Sequence, residues 1–261
     1  MIACYVESVG LAAPGLANWA IAQAVLCSRA PLRIEPEPPF APNLLPPNER
    51  RRATATIRQA FRAGEDALSA AAPVVSELAT VFACADGDLA VLNRLCTALA
   101  KPARQVSPTD FHNSVHNAAS GYFSIAIRSM AAATTVAAFD ASFAAGLLEA
   151  ATLATVEGCE VLLIAYDVMA PAPLLASRPL TANGSCALLL TAERTGASLA
   201  RLGLELGAGA ESVCADAALE ELRRGCPALR SLPLLTKLAT RQSGACVLAL
   251  GAGRMLQVTL D

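Results

Sequence analysis

Short apolar runs and amphipathic stretches alternate along this 261-residue chain, and the two periods predict strands and helices in turn. Ile2–Val9 reads as a first strand, and Gly15–Cys27 as a helix that carries the only tryptophan, Trp19. Glu35–Pro47 is a proline-rich loop, after which Asn48 is placed to cap a helix running to about Ala71. Leu78–Cys84 then reads as a buried strand and Asp88–Leu99 as a helix. Val161–Tyr166 and Ala187–Thr191 are further strands, separated by a loop with Pro171, Pro173 and Pro179. The remainder reads as a strand at Ala200–Leu206, a helix at Asp216–Arg224, and a hairpin of Ala245–Leu250 with Met255–Leu260. Strands alternating with helices predict an α/β fold with helices on the faces of one sheet.

The most distinctive junction follows Ala131–Phe139. This continuous run of small and apolar residues suits a strand buried on both faces. Asp140 interrupts it, and Ala141–Glu157 then places Phe143, Leu147, Ala150, Ala151 and Ala154 at helical spacing. Asp140 is therefore expected at or beside a helix N-cap, where a carboxylate accepts backbone N–H bonds and meets the positive end of the helix dipole. Ser142 is the one nearby hydroxyl, and no residue in the pattern stands out as its base.

Composition narrows the picture. Apolar residues make up 54% of the chain and aromatics only 4%, so the core must be built largely from Ala, Leu and Val. The net charge of −2 carries no nucleic-acid signature. Nine cysteines without a Cys-x-x-Cys pair predict reduced core thiols in a cytoplasmic protein. The first residues read as a strand rather than a leader, and the long apolar stretches are interrupted by Pro73, Glu77, Asp140 or Glu149, so no membrane span is expected.

His112 and His116, the only histidines, have the i, i+4 spacing of a helical metal pair. They lack the glutamate of His-Glu-x-x-His and any third histidine, so hydrogen bonding in a packed loop fits them better than a metal. The run Arg50, Arg51 and Arg52 is placed near a predicted helix start, against the dipole. It reads either as a solvated face or as a patch that docks an acidic partner.

The stretch Ser107–Ser142 resembles the core of a β-ketoacyl synthase. A polar loop leads into the helix marked by Asn117, Gly121 and Ile125, then into a strand and a turn where that family carries Cys-Ala-Ser. Here the matching residues are Asp140, Ala141 and Ser142; a register slipped by one puts Phe139 or Ala141 at the nucleophile position. The flanking runs Leu45–Arg52 and Val81–Asp88 resemble a bacterial subgroup tied to type II systems such as those making aryl polyenes. The resemblance implies a thiolase-like, layered α-β-α architecture, with residues 1–192 as the N-terminal half and 193–261 as a reduced C-terminal half. It also implies a chain with no catalytic residue. The thiol is missing at the junction, and the histidines the family uses in its C-terminal half have no counterpart after it.

By the same resemblance the chain is expected to act like a chain-length factor. It would pair in a heterodimer with a full-length β-ketoacyl synthase and shape that partner's acyl pocket, without a cofactor. Phe111, His112, Ser114, His116, Asn117 and Phe139 would line the interface or the pocket. Acyl carrier protein would dock on the partner or on Arg50–Arg52. The competing expectations are an independent acyltransferase or hydrolase using Ser142 or the histidine pair, and a homodimeric scaffold of a biosynthetic complex.

Overall fold

The structure, a computed structural model, describes residues 1–71 and 73–261. Its centre is an eight-stranded mixed sheet, which comprises β1 (Ile2–Ala12), β2 (Ala79–Ala83), β3 (Ala133–Val136), β4 (Val161–Asp167), β5 (Gly184–Thr191), β6 (Ala200–Gly207), β7 (Gly244–Gly251) and β8 (Arg254–Leu260). Across the sheet the order is β3-β2-β4-β5-β1-β6-β8-β7. The first three strands run parallel, and every later pairing is antiparallel.

Helices α1 (Trp19–Leu26), α7 (Ser142–Glu157), α9 (Ala217–Gly225) and α10 (Leu232–Thr240) cover one face of the sheet, while α3 (Ala55–Ala70) and α6 (Ala118–Ile127) cover the other. Strand alternation divides the core accordingly. On β4, Val161, Leu163 and Ala165 join the first layer and Leu162, Ile164 and Tyr166 the second. The scarce aromatics concentrate in the second layer, where Phe61, Phe82, Phe123 and Tyr166 meet in tilted or edge-on pairs. β1 keeps its apolar phase across a register shift between Val6 and Ser8. The residue between them, Glu7, is buried but accepts from the hydroxyls of Thr191, Thr195 and Ser198, so its charge does not lack partners. Gly10 is required in β1, because a Cβ there would stand 2.0 Å from the Ala63 carbonyl oxygen of α3.

Several expectations are corrected. The helix read from Asn48 to Ala71 is two helices. The short α2 (Pro47–Arg52) contains Asn48, Ala53 is extended, and Thr54 caps α3 through the Ile57 N–H. Arg50, Arg51 and Arg52 therefore fill the last turn of α2, where the dipole favours them. The strand expected at Ala131–Phe139 is only four residues long and is not buried on both faces. β3 pairs with β2 alone, at the sheet edge, and its residues are exposed or half-buried. Of the nine free cysteines, Cys96 is exposed rather than in the core. The stretch Phe139–Glu157 is apolar and long enough to cross a membrane by length and composition alone. In the fold it is the core helix α7 with its leading turn, and Phe143, Leu147, Ala150, Ala151 and Ala154 are buried against the sheet.

Candidate functional site: the turn between β3 and α7

After β3 the chain passes through Ala137 and Ala138 into a tight 3-10 turn, Phe139–Ala141, and then into α7. Phe139 is held in the left-handed region at φ +52°, a conformation that costs a bulky residue energy and marks the turn as sharp. Such a strand-to-helix elbow projects the side chain at its apex away from the sheet, the arrangement that nucleophile turns exploit. Here the apex carries a phenyl ring that is 61% exposed.

Asp140 stands beside the N-cap of α7, as expected, but its carboxylate accepts no N–H of that helix. The N-cap position belongs to Ala141, and no side chain caps the helix. The Asp140 carboxylate turns instead to two arginines, with Oδ1 2.8 Å from Arg178 Nη1 and Oδ2 3.6 Å from Arg230 Nη2. Arg178 also donates through Nε to Asp86, and its guanidinium stacks on the Phe139 ring. From Arg230 the chain of charges continues to Glu211 and Arg223, and ends in a two-pronged pair between Arg223 and Glu220. Hydrogen bonds from the Arg223 guanidinium pull the Glu220 carboxyl down to about 2. Arg178 and Arg223 are nearly buried, so this network fills the space beside the elbow.

Ser142 is withdrawn from chemistry. It is 1% exposed, and its hydroxyl donates to the Phe139 carbonyl (2.7 Å) while accepting the Ala138 N–H (3.0 Å). Both bonds stabilise the turn, and burial keeps the hydroxyl out of reach of a substrate. The histidines are occupied separately. His112 ends the short helix α5 (Pro108–His112) and meets the edge of Tyr122 at 6.0 Å between ring centres. His116 lies beyond that helix, so the two do not share one helical face. Its Nε2–H donates to the Cys84 carbonyl over 3.1 Å, a bond that fixes the tautomer because a carbonyl only accepts. Among the described residues, no group of three His, Cys, Asp or Glu is placed to hold a metal.

The remaining residues singled out in the sequence divide into two groups. Phe111 is 70% exposed on α5, Ser114 donates back to the Phe111 carbonyl, and Asn117 is exposed at the start of α6. Further exposed apolar side chains are Val115 between α5 and α6, Ile125 on α6, Met130 before edge strand β3 and Phe139 after it. The arginines lie elsewhere and have local partners. Arg50 donates to the carbonyls of Asn43 and Leu45, Arg51 to Asn48, and Arg52 lies 3.7 Å from Glu49. Arg178, Arg230 and Asp86 escaped the sequence reading, since each is far from Asp140 along the chain and follows no period.

A thiolase-like ketosynthase fold is what this layered sheet and its strand-to-helix elbow define. The chain belongs to the β-ketoacyl synthase family, for the family model of the β-ketoacyl synthase N-terminal domain matches residues 22–243. Among solved structures, it is similar to a chain in the complex of a ketosynthase (ApeO) with its chain length factor (ApeC) from Xenorhabdus doucetiae. Identity there is 22% and the TM-score 0.74, over 99% of this chain and 100% of that one. The ishigamide ketosynthase/chain length factor matches at 16% identity and a TM-score of 0.75, over 100% and 99%. A β-ketoacyl synthase from Burkholderia phymatum STM815 matches at 14% identity and 0.62, over 93% of this chain and 78% of that one. No curated protein matches the chain.

Proposed function

We propose that this chain is a non-catalytic ketosynthase-like subunit. In this reading it pairs with a full-length β-ketoacyl synthase, as a chain-length factor does, and forms part of the wall of that partner's acyl pocket. The observation that carries the reading is the elbow. Its apex is Phe139, its next residue is an ion-paired aspartate, and its only hydroxyl is spent on the backbone. In either register the position of a nucleophile holds a group that cannot form a thioester. Support for pairing comes from the apolar side chains left exposed around β3, an edge strand with one neighbour, which is a liability on an isolated subunit. Similarity to chains of ketosynthase/chain length factor complexes favours the same partner class. In this reading residues 193–261 are a reduced C-terminal half. They add β6, β7 and β8 to the common sheet and set α10 against α1.

Co-expression with a full-length β-ketoacyl synthase, followed by intact-mass analysis with acyl carrier protein, tests the proposal. A one-to-one complex is expected, with acyl groups only on the partner. A stoichiometric acyl adduct on this chain, or a stable self-dimer that ignores the synthase, overturns it.

A further inference from the structure

One cleft is lined by no residue of the elbow turn or of β3, although its Cys214 N–H bonds Glu220 at the far end of the charged network. It has a volume of about 790 Å3 and opens between the end of α1, the loop 212–216 and α10. Its volume falls in the range of small-molecule sites. Val25, Leu26, Leu219 and Pro233, all buried, give it an apolar floor.

The charged residues lining it are Arg29, Asp216 and Lys237. Asp216 is committed to its own helix, with Oδ1 accepting the N–H groups of Ala218 and Leu219 at 2.9 and 3.0 Å. Lys237 is half-buried in α10, yet its ammonium makes no ion pair and no hydrogen bond among the described residues. Arg29, at the exposed rim, is likewise without a carboxylate partner among them. By contrast, the two buried arginines among the described residues, Arg178 and Arg223, are both paired with carboxylates. A lysine whose stem lies along the cleft while its ammonium has no acceptor there is free to meet an anion that enters.

We infer that this cleft binds an amphipathic monoanion, a medium-length apolar body on the floor with a carboxylate head between Lys237 and Arg29. The site is independent of the pairing reading, because it involves neither the elbow nor β3. Apolar contact with the floor supplies affinity, and the two cations supply the preference for an anionic head.

Calorimetric titration of the full-length chain with decanoate, kept below its micelle concentration, tests this, with decanol and decyltrimethylammonium as neutral and cationic controls. Saturable one-to-one binding of decanoate is expected, at least tenfold tighter than either control. Lys237→Gln should weaken decanoate at least tenfold while leaving decanol unchanged, and Arg29→Gln should do so to a smaller extent. Arg29 is exposed, so its variant folds even if the Lys237 variant does not. Decanol binding as tightly as decanoate, titration without saturation, or affinity unmoved in a folded variant would overturn the inference.

Discussion

The guanidinium of Arg178 lies 3.9 Å from the centre of the Phe139 ring, and the same guanidinium joins Asp86 to Asp140. One side chain thus lies over the ring at the apex of the elbow and bridges the two carboxylates beside it, with Arg230 supplying a second positive charge at Asp140. The Arg178 cation sits over the aromatic face, an arrangement that is worth more as water is excluded.

Removing that arginine leaves two neighbouring carboxylates with less compensation. Arg178→Ala should lower unfolding stability by about 3 kcal/mol, below the upper end for a fully buried pair because Asp140 is about half exposed. Adding Asp86→Asn should recover part of the loss. Urea titration of the four chains in a double-mutant cycle measures the coupling, and strictly additive losses would mean the two groups do not act together.

A thiol placed at the elbow should not revive condensation. Neither Phe139→Cys nor Asp140→Cys supplies an acid or base, since His112 packs on Tyr122 and His116 is bonded to the Cys84 carbonyl. Carbon dioxide release from malonyl carrier protein should stay at background for both. Turnover in either chain alone would show that the missing groups exist.

Charge on the β3 side should break association without unfolding the subunit. Met130 is 97% exposed, so Met130→Glu should change stability by no more than about 0.5 kcal/mol while preventing co-purification with a ketosynthase. Phe111→Ala should leave the complex intact and lengthen its products, because a large ring would be removed from the pocket wall. Sedimentation and the product-length distribution read the two effects separately.

Two carboxyls, one buried and one partly exposed, should tilt stability in opposite directions with pH. Burial pushes Asp167 up to about 7 from 3.8, against hydrogen bonds from the Ala85 and Ala228 N–H groups. Its folded state holds the proton more tightly, so its contribution is full below about pH 3.8 and is lost as pH rises to about 7. Glu220, depressed to about 2 from 4.5, contributes above pH 4.5 and loses that contribution as pH falls through 2. Between pH 5 and 8 the wild-type chain should therefore lose on the order of 2 kcal/mol relative to Asp167→Asn. Parallel melts of the two chains across that range would instead show that Asp167 does not titrate there.

Much of the sheet was legible because its strands are unbroken apolar runs in a chain poor in aromatics. β4 and β5 fall where Val161–Tyr166 and Ala187–Thr191 were read, and the hairpin of β7 and β8 is nearly residue for residue as expected. β3 was misjudged because an alanine-rich run looks the same whether a strand is covered by its own fold or lies open at an edge. α10 escaped because Pro233 reads as a breaker, whereas in the first helical turn it removes no needed donor. The break at Ala53 had a signal in Thr54, which caps α3, but Asn48 offered a competing start. At the site, Asp140 stood out because it interrupts an apolar run. Its partners did not, because an ion pair between residues 140 and 178 depends on tertiary placement and leaves no periodic trace.

The place of β1 in the sheet also bears on how the chain is made. Tyr5 is bonded on one side to Thr191 and on the other to Arg201, so the strand lies between two neighbours synthesised long after it. At ribosomal rates of about 5–20 residues per second, β1 waits roughly 10–40 s with both edges open. During that interval only α1 and α3, made soon after it, can cover the strand's faces, while its pairing edges stay open and the fold's high share of long-range pairing slows their closure. Yield in a cell is then governed by what shields this strand during synthesis, a quantity that the stability of the finished sheet does not report.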